Sequence, residues 1–290
     1  MSKRSAELLY ASVIIVRATA LLFSKVGLGV LEPMNLLAVR FFIAFLILVV
    51  LFGKRLIKMT RKELLYGAII GAGFFAVMTL EMNALRHTAS SMVAFLENTA
   101  IVIVPLLAAA LSRKLPSRRS IVCAVITLAG VGLLTLKGGK VSLGTGEVLC
   151  IFGAVTYASV IILTEKFSRK ADALIIGIMQ IGFLALFAAV GSFVFETPIL
   201  PQGGREWGAI LVLAIVCTCF GFTLQPVAQR YVSTEIAGQF CALNPLTASI
   251  LGIVFLDERL GAYGIIGAVL ILAGILIQNL HLQRKSAKCK

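Results

Sequence analysis

Charged side chains are scarce in this sequence, and no long polar stretch interrupts it. Only 14% of the 290 residues are charged, whereas 59% are hydrophobic and the mean hydropathy is +1.01. A soluble protein carries about 25% charged residues, because much of its surface must face water. Intrinsic disorder requires low hydrophobicity and is excluded for the same reason. The composition therefore predicts a polytopic membrane protein with no separate soluble domain.

Histidine is also rare, and the motifs of common enzyme chemistry are missing. The two histidines, His87 and His281, fall in a loop and in the C-terminal tail. The sequence contains no HExxH, no GxSxG and no GxxxxGK[ST] phosphate-binding loop. We therefore expect no catalytic residues, no metal site, no cofactor and no use of ATP.

Ten continuous apolar segments account for most of the chain. Each is about 20 residues long, which is the length an α-helix needs to cross the hydrocarbon core. A β-barrel would instead alternate apolar and polar residues. The predicted fold class is an all-α polytopic membrane protein with ten transmembrane helices. The segments lie at about 8–28, 35–52, 64–85, 91–111, 119–136, 146–165, 172–194, 207–227, 235–255 and 261–280.

The basic residues concentrate on one side of these predicted helices. With the N-terminus in the cytoplasm, the inner segments carry 19 Lys and Arg residues and the outer segments carry 6. By the positive-inside rule, this asymmetry predicts that both termini are cytoplasmic in a multi-pass protein of the plasma (cell inner) membrane. The net charge of +14 then reflects topology and contacts with lipid headgroups rather than nucleic-acid binding.

The two halves of the chain resemble each other. The segment Tyr10–Ile15 (YASVII) recurs 147 residues later as Tyr157–Ile162, and weaker matches occur at nearly the same shift. We predict two five-helix repeats, at 1–140 and 141–290, the second ending in a short basic cytoplasmic tail. Because five is an odd number, the second repeat is inverted in the membrane. Inverted repeats place a substrate site near the midplane and support alternating access.

Several short motifs are shared with a known group of transporters. They are Lys25 ending the first helix, Glu32-Pro33, Arg40, Gly146-Glu147, Gln180, Ala242-Leu-Asn-Pro245, Leu256-Asp-Glu-Arg-Leu260 and Gly264-Ile-Ile-Gly267. Together they resemble the EamA-type members, with ten helices, of the drug/metabolite transporter (DMT) superfamily. The resemblance covers nearly the whole chain. It implies the export or import of small metabolites, commonly amino acids and related compounds.

The sequence departs from this family's pattern in two places. The family usually has Trp-Gly eight residues before the lysine of the first helix, where this chain has Arg17-Ala18. The first-repeat counterpart of the Asp-Glu-Arg-Leu turn reads Ser112-Arg-Lys-Leu115 and lacks the acid. Because of the first departure, the substrate of typical members is not transferred to this chain.

Two arginines fall within apolar segments, where a charge costs a few kcal/mol unless it meets a cavity or a partner. Arg17 lies near the middle of the first helix, so we expect it to line a cavity and to meet Glu81 or Glu97. Arg40 either holds a substrate carboxylate or pairs with a helix acid, or else it forms a structural ion pair or snorkels outward. Glu81 itself is expected at the membrane interface, since it lies near the outer end of its helix.

Acidic and amide side chains complete the intramembrane polar set. Glu97, followed by Asn98, either binds a coupling proton or a cationic group, or neutralises an arginine. Gln225 and Gln229 are four residues apart on one helix face, either lining a cytoplasmic vestibule or lying at the interface. The glycines, including the GxxxG pattern that begins at Gly67, are interpreted as helix-packing residues and indicate no particular oligomeric state.

Repeat symmetry and a proline indicate two further candidate substrate-binding residues. Gln180 in helix seven corresponds to Arg40 in helix two. Asn244 precedes Pro245, which removes one backbone N–H and crowds the carbonyl of Cys241. Such a break either offers backbone polar groups to a ligand or is a simple packing kink. The predicted substrate-binding residues are Arg17, Arg40, Glu97, Asn98, Gln180 and Asn244.

These features predict a secondary transporter that exports small metabolites, such as amino acids or related compounds, by alternating access without ATP. The expected partners are the substrate, membrane lipids and a coupling proton. The arginines favour a carboxylate-bearing or zwitterionic compound, whereas Glu97 allows a cationic drug-like one. The alternatives are an intramembrane enzyme, which would need a convergent acid–base or metal set, and a membrane sensor or scaffold, which would need an output domain.

Overall fold

The computed structural model of the protein describes residues 3–88, 90–113, 117–135, 144–247, 250 and 261–288. Regular structure in these residues is helical and falls into ten successive helices, which confirms the predicted all-α fold. The Leu256–Leu260 turn and residues 114–115 of its first-repeat counterpart lie outside the described part. Helices long and apolar enough to cross a membrane are Pro33–Leu56, Arg61–His87, Thr145–Ser168, Ala173–Phe195 and Gly204–Gln229.

Each predicted segment overlaps one of these helices, but four helices are interrupted. The first five are α1 (Lys3–Ala18 and Ala20–Leu28), α2 (Pro33–Leu56), α3 (Arg61–His87), α4 (Ser90–Asn98 and Ala100–Ser112) and α5 (Arg118–Thr135). The next three are α6 (Thr145–Ser168), α7 (Ala173–Phe195) and α8, which comprises Gly204–Val212, π-helical Leu213–Phe222 and Thr223–Gln229. The last two are α9 (Thr234–Phe240, with further helical residues at 243–247) and α10 (Ala262–Lys288).

The chain packs as two compact units, each with helices from both predicted repeats. Unit 1 comprises Met1–Met82 and Leu163–Val232, and so contains α1, α2, most of α3, α7 and α8. Unit 2 comprises Asn83–Ile162 and Ser233–Lys290, and so contains α4, α5, most of α6, α9 and α10. The compact units therefore combine helices that are far apart in the sequence.

Small residues let the helices of unit 1 approach closely. A Cβ atom on Gly177 of α7 would collide with the carbonyl oxygen of Thr223 in α8. On α3, a Cβ on Gly67 would collide with Cβ of Met179, and Gly71 faces the same stretch of α7. The GxxxG pattern therefore packs α3 against α7, as small residues commonly do between membrane helices.

Replacing Gly177 with alanine should destabilise the protein. The added methyl group would collide with backbone rather than with a flexible side chain, so α7 and α8 would have to separate. Overpacking of this kind lowers the free energy of unfolding by about 1–3 kcal/mol. Gly53→Ala in α2 is the matched control, because its Cβ would meet nothing within 4 Å. Equal thermal unfolding midpoints for the two variants in detergent would contradict this packing.

Carboxylates join α2 and α7 at both ends. The Glu196 carboxylate, at the C-terminal end of α7, accepts hydrogen bonds from the backbone N–H groups of Met34 (2.9 Å) and Asn35 (2.8 Å) in the first turn of α2. An anion there also interacts favourably with the helix dipole. At the other end, Arg55 Nε and Nη2 donate to Asp172 Oδ2 at 3.1 and 2.7 Å. The two helices are therefore tied together as a pair.

The pKa of the Asp172 carboxyl is lowered from its ordinary value. Burial acts to raise this pKa, but the hydrogen bonds from Arg55 and from the backbone N–H groups of Leu174 and Ile175 outweigh it. A carboxyl with a depressed folded-state pKa contributes stability above its unfolded pKa of about 3.9, and that stability is lost as pH falls through the folded value. The link between α2 and α7 should therefore weaken in acid.

Asp172→Asn should lower stability at neutral pH by less than about 1 kcal/mol, since the ion pair is partly exposed. The difference in unfolding free energy between wild type and variant should shrink as the pH drops below about 4. Thermal unfolding of both proteins across this range measures it. A difference that stayed constant with pH would show that the carboxylate's charge does not stabilise this contact.

Candidate functional site

Arg40 of α2 is buried within unit 1, with 2% of its surface exposed. Its Nε donates a hydrogen bond to Thr218 Oγ1 in α8 at 2.9 Å. A guanidinium has five N–H donors, and within the described residues no other hydrogen bond of Arg40 is present. Leaving charged donors without acceptors in a nonpolar interior is costly. The Nη1 and Nη2 groups therefore mark a place where an acceptor from a ligand would be stabilised.

The π-helical part of α8 holds Thr218 in position. The Thr218 hydroxyl donates to the carbonyl of Leu213, five residues earlier, at 2.9 Å while it accepts from Arg40. Wider π-helical turns commonly occur at functional sites. The sequence analysis did not single out Thr218, although a polar side chain inside an apolar helix was a signal that could have found it.

Arg17 of α1 lies beside Arg40. Its Nη1 donates to Gln225 Oε1 in α8 at 2.5 Å. Its guanidinium lies 4.1 Å from the ring centroid of Phe222 and 5.4 Å from that of Phe74, while the guanidinium of Arg40 lies 5.9 Å from the same Phe222 centroid. One phenyl ring thus contacts two cations, an arrangement stabilised by cation–π attraction.

Glu81 of α3, one of the two acids expected to meet Arg17, completes this group. It is buried, with 8% of its surface exposed, and interacts electrostatically with both Arg17 and Arg40. Phe74 shows which way this face of α3 points, because it lies two helical turns before Glu81 on the same face and contacts Phe222. That face therefore points into unit 1, and Glu81 is the acid near Arg17.

We call Arg17, Arg40, Glu81, Phe222 and Gln225 the arginine cluster. Its members come from four helices of unit 1: α1, α2, α3 and α8. With all three ionisable groups charged, two positive charges face one negative charge. The two guanidinium groups therefore carry more positive charge than the single carboxylate of the cluster can balance.

Gln180 of α7 has a structural hydrogen bond that the sequence analysis did not foresee. Pro226 lacks an N–H, so the carbonyl of Phe222, four residues earlier, loses the donor that an α-helix would supply. Gln180 Nε2 donates to that carbonyl at 2.5 Å. Its Oε1 is buried and has no hydrogen-bond partner in the described part of the chain. Gln180 thus supplies the donor that the proline removes, and its role in substrate binding stays a prediction.

Gln225 and Gln229 are fully buried in unit 1. Gln225 accepts from Arg17, and Gln229 Nε2 donates to Tyr10 Oη at 3.4 Å. Gln225 Nε2 and Gln229 Oε1 have no hydrogen-bond partner among the described residues. Gln225 therefore adds a buried donor to the arginine cluster.

Glu97 and Asn98 lie in unit 2, at the end of the first part of α4. Glu97 is half-buried, and Asn98 is buried with 2% of its surface exposed. The helix is interrupted at Thr99, whose Oγ1 donates to the carbonyl of Leu96 at 2.5 Å. Two polar side chains thus stand at a helix break, and their role in substrate binding stays a prediction.

Asn244, also in unit 2, lies at the predicted break in α9. The helix is interrupted at Cys241 and Ala242, and the backbone N–H of Asn244 donates to the carbonyl of Cys241 at 3.0 Å. This is the carbonyl that loses its α-helical donor at Pro245. The helix is therefore interrupted near Pro245, and the Cys241 carbonyl still accepts a hydrogen bond within the helix. The role of Asn244 in substrate binding stays a prediction.

Comparison with known proteins connects this architecture to a family. The EamA-like transporter family matches residues 4–136 and, separately, 144–280. An uncharacterized transporter of Archaeoglobus fulgidus is 26% identical over 285 residues, covering 93% of this chain and 96% of the relative. The uncharacterized transporter YcxC of Bacillus subtilis is 27% identical over 311 residues, covering 98% and 94%. A protein crystal structure shares the fold, with a TM-score of 0.81, 19% identity and coverage of 98% and 99%.

Proposed function

Because the chain belongs to the EamA-like transporter family of the DMT superfamily, and is thus a membrane transporter, we propose that it exports small carboxylate-bearing metabolites, such as amino acids or related compounds. Export proceeds by alternating access between inverted repeats and uses no ATP. The relatives are named as transporters, which is consistent with the expectation that the protein is not an enzyme.

The observation that carries the substrate class is the buried guanidinium of Arg40. Its two Nη groups have no acceptor in the described residues, and a carboxylate would accept from both in the bidentate geometry that arginine favours. The positive charge of the arginine cluster also attracts an anionic group. This charge disfavours the alternative of a cationic drug-like substrate at these residues.

The remaining predicted residues keep distinct roles in this proposal. The acceptor Oε1 of Gln180 lies in the same unit as Arg40 and suits a hydrogen-bond donor on the substrate. Asn98 and Asn244 are polar contacts for the substrate at helix breaks. Glu97 is the intramembrane carboxylate that binds the coupling proton.

Membrane placement follows from the distribution of basic residues. We place the protein in the plasma (cell inner) membrane, in contact with its lipids and with both termini in the cytoplasm. The supporting observation is the ratio of 19 to 6 Lys and Arg residues between the two sides. Arg55 and its partner Asp172 then lie on the cytoplasmic side, and Glu196 lies on the outer side.

Efflux from proteoliposomes tests the proposal. Vesicles that contain the purified protein are loaded with a mixed pool of amino acids, related carboxylic acids and cationic compounds that lack a carboxylate, and a pH gradient is imposed. Mass spectrometry should show that carboxylate-bearing compounds appear selectively in the outside solution, in amounts beyond those released by protein-free vesicles. If a folded protein releases only cationic compounds, or none of the pool, the proposed substrate class is rejected.

A further inference from the structure

We infer that Gln180 is a positioning residue: by holding the backbone carbonyl of Phe222, it fixes the phenyl ring that contacts Arg17 and Arg40. This inference rests on the proposed function, in which the arginine cluster binds the substrate carboxylate, and goes beyond it. The sequence analysis placed Gln180 among the residues that bind the substrate. Its Nε2 group donates to the backbone of α8, so the effect of this group on substrate binding passes through another residue.

The hydrogen bond at the proline break in α8 comes from a different helix. Pro226 lies inside the last part of α8 and has no backbone N–H for the carbonyl of Phe222, four residues earlier. Gln180 Nε2 donates to that carbonyl at 2.5 Å, and both residues are buried, each with 1% of its surface exposed. Losing a donor is costly for a carbonyl in a nonpolar interior. Without the Gln180 amide, the backbone at Phe222 should therefore shift.

Close packing of α7 against α8 gives Gln180 this reach. Gly177 lies about one turn before Gln180 on the same face of α7, and a Cβ atom on it would collide with the carbonyl oxygen of Thr223. The two backbones therefore touch next to Phe222, which precedes Thr223 in the sequence. The amide is thus held at the proline break by two packed helices.

The ring of Phe222 contacts both guanidinium groups of the arginine cluster. Its centroid lies 4.1 Å from the guanidinium of Arg17 and 5.9 Å from that of Arg40. Phe41 and Phe74 meet this ring in T-shaped contacts, with centroid distances of 5.2 and 5.1 Å. All three rings are buried, and cation–π attraction is strongest where water is excluded. The position of the Phe222 ring therefore helps to set where the two guanidinium groups lie.

The ring and the carbonyl of Phe222 belong to one residue, so their contacts are linked. A shift of the backbone at this carbonyl also moves the ring and the guanidinium groups that it contacts. Such a movement matters, because a bidentate contact between arginine and a carboxylate depends on geometry. Gln180 Nε2 therefore affects the affinity for the substrate without touching it.

A double-mutant cycle between Gln180 and Pro226 tests this role. Gln180→Leu removes the donor, whereas Pro226→Ala returns a backbone N–H four residues after Phe222. The full-length protein in lipid nanodiscs is titrated at one temperature with radiolabelled leucine, glutamine and serine in turn. Gln180→Leu should raise the dissociation constant by about tenfold in the wild-type background, but by only about threefold in the Pro226→Ala background. The loss that remains belongs to the substrate contact proposed for Gln180 Oε1.

Two further variants separate this effect from a general disturbance. Pro105→Ala is the matched control, because it returns a backbone N–H to α4 in unit 2, and Gln180→Leu should keep its full effect there. Phe222→Leu removes the ring but keeps the backbone carbonyl, and should also raise the dissociation constant by about tenfold. If Gln180→Leu does not fold, wild-type affinity in a folded Phe222→Leu variant still overturns the inference.

The possible failures are distinguishable. If one of the three amino acids binds wild type, and Gln180→Leu weakens that binding equally with and without Pro226→Ala, the inference is wrong and the carboxylate site stands. A Gln180→Leu variant that has a lower thermal unfolding midpoint but wild-type affinity also overturns the inference. If none of the three amino acids binds the folded wild type, the proposed carboxylate site is rejected and the inference falls with it.

Discussion

Transport by an Arg40→Gln variant should fall by roughly 100-fold or more at low substrate concentration. The substitution removes the charge and both Nη groups that would hold the substrate carboxylate. Each hydrogen bond to a charged group contributes about 1.5–3 kcal/mol, and about 1.4 kcal/mol corresponds to a factor of ten. Initial efflux rates from proteoliposomes measure this loss directly.

Two variants show whether the effect belongs to the guanidinium. Arg40→Lys keeps the charge but loses the planar pair of donors, so its transport rate should lie between those of wild type and Arg40→Gln. Lys54→Gln removes an exposed positive charge from the same helix and should transport like wild type. Wild-type efflux from a folded Arg40→Gln protein would remove Arg40 from the substrate site.

Glu97→Gln should abolish the dependence of efflux on the imposed pH gradient, and should slow gradient-driven transport by about tenfold. A glutamine cannot bind and release a proton, whereas an intramembrane carboxylate can. The measurement is the ratio of initial efflux rates with and without the gradient. This ratio should fall to about one in the variant.

Substitutions of Glu81 and Glu97 should affect the response to the pH gradient differently, so the assay tests which carboxylate binds the coupling proton. Glu81→Gln should keep the response to the gradient. Glu165→Gln, which removes a half-buried carboxylate paired with Arg169, should keep it as well. If the gradient response is lost in Glu81→Gln and kept in Glu97→Gln, the coupling proton has been assigned to the wrong carboxylate.

Part of the candidate site could be found by asking which charges lie inside apolar segments. Arg17 and Arg40 were identified this way, because a charge at that depth must face a cavity or a partner. For Glu81, counting along the helix gives depth in the membrane but not the direction in which the side chain points. Its direction follows from Phe74, on the same face, which packs on Phe222 about 150 residues later in the chain.

Local sequence patterns also do not identify the residues that contact Arg17 and Arg40. Thr218 is separated from Arg40 by 178 residues and Gln225 from Arg17 by 208, so no window of sequence contains both members. Gln180 shows a further difficulty, because its amide repairs a break that Pro226 makes in a different helix. The sequence shows that Pro226 removes a backbone donor, but only the packing of the helices shows which side chain replaces it.

Membrane insertion, ten helices, the internal repeat and the family were all determined by the sequence alone. Hydropathy, helix length and motif spacing are properties of neighbouring residues, and they can be evaluated without knowing how the helices pack. Only the tertiary structure decided which helices form each compact unit, where α8 becomes π-helical, and that Glu81 lies beside two arginines. These features arise from close contacts between distant segments, and in a chain whose helices are apolar on nearly every side, hydrophobicity alone does not select the face that turns inward.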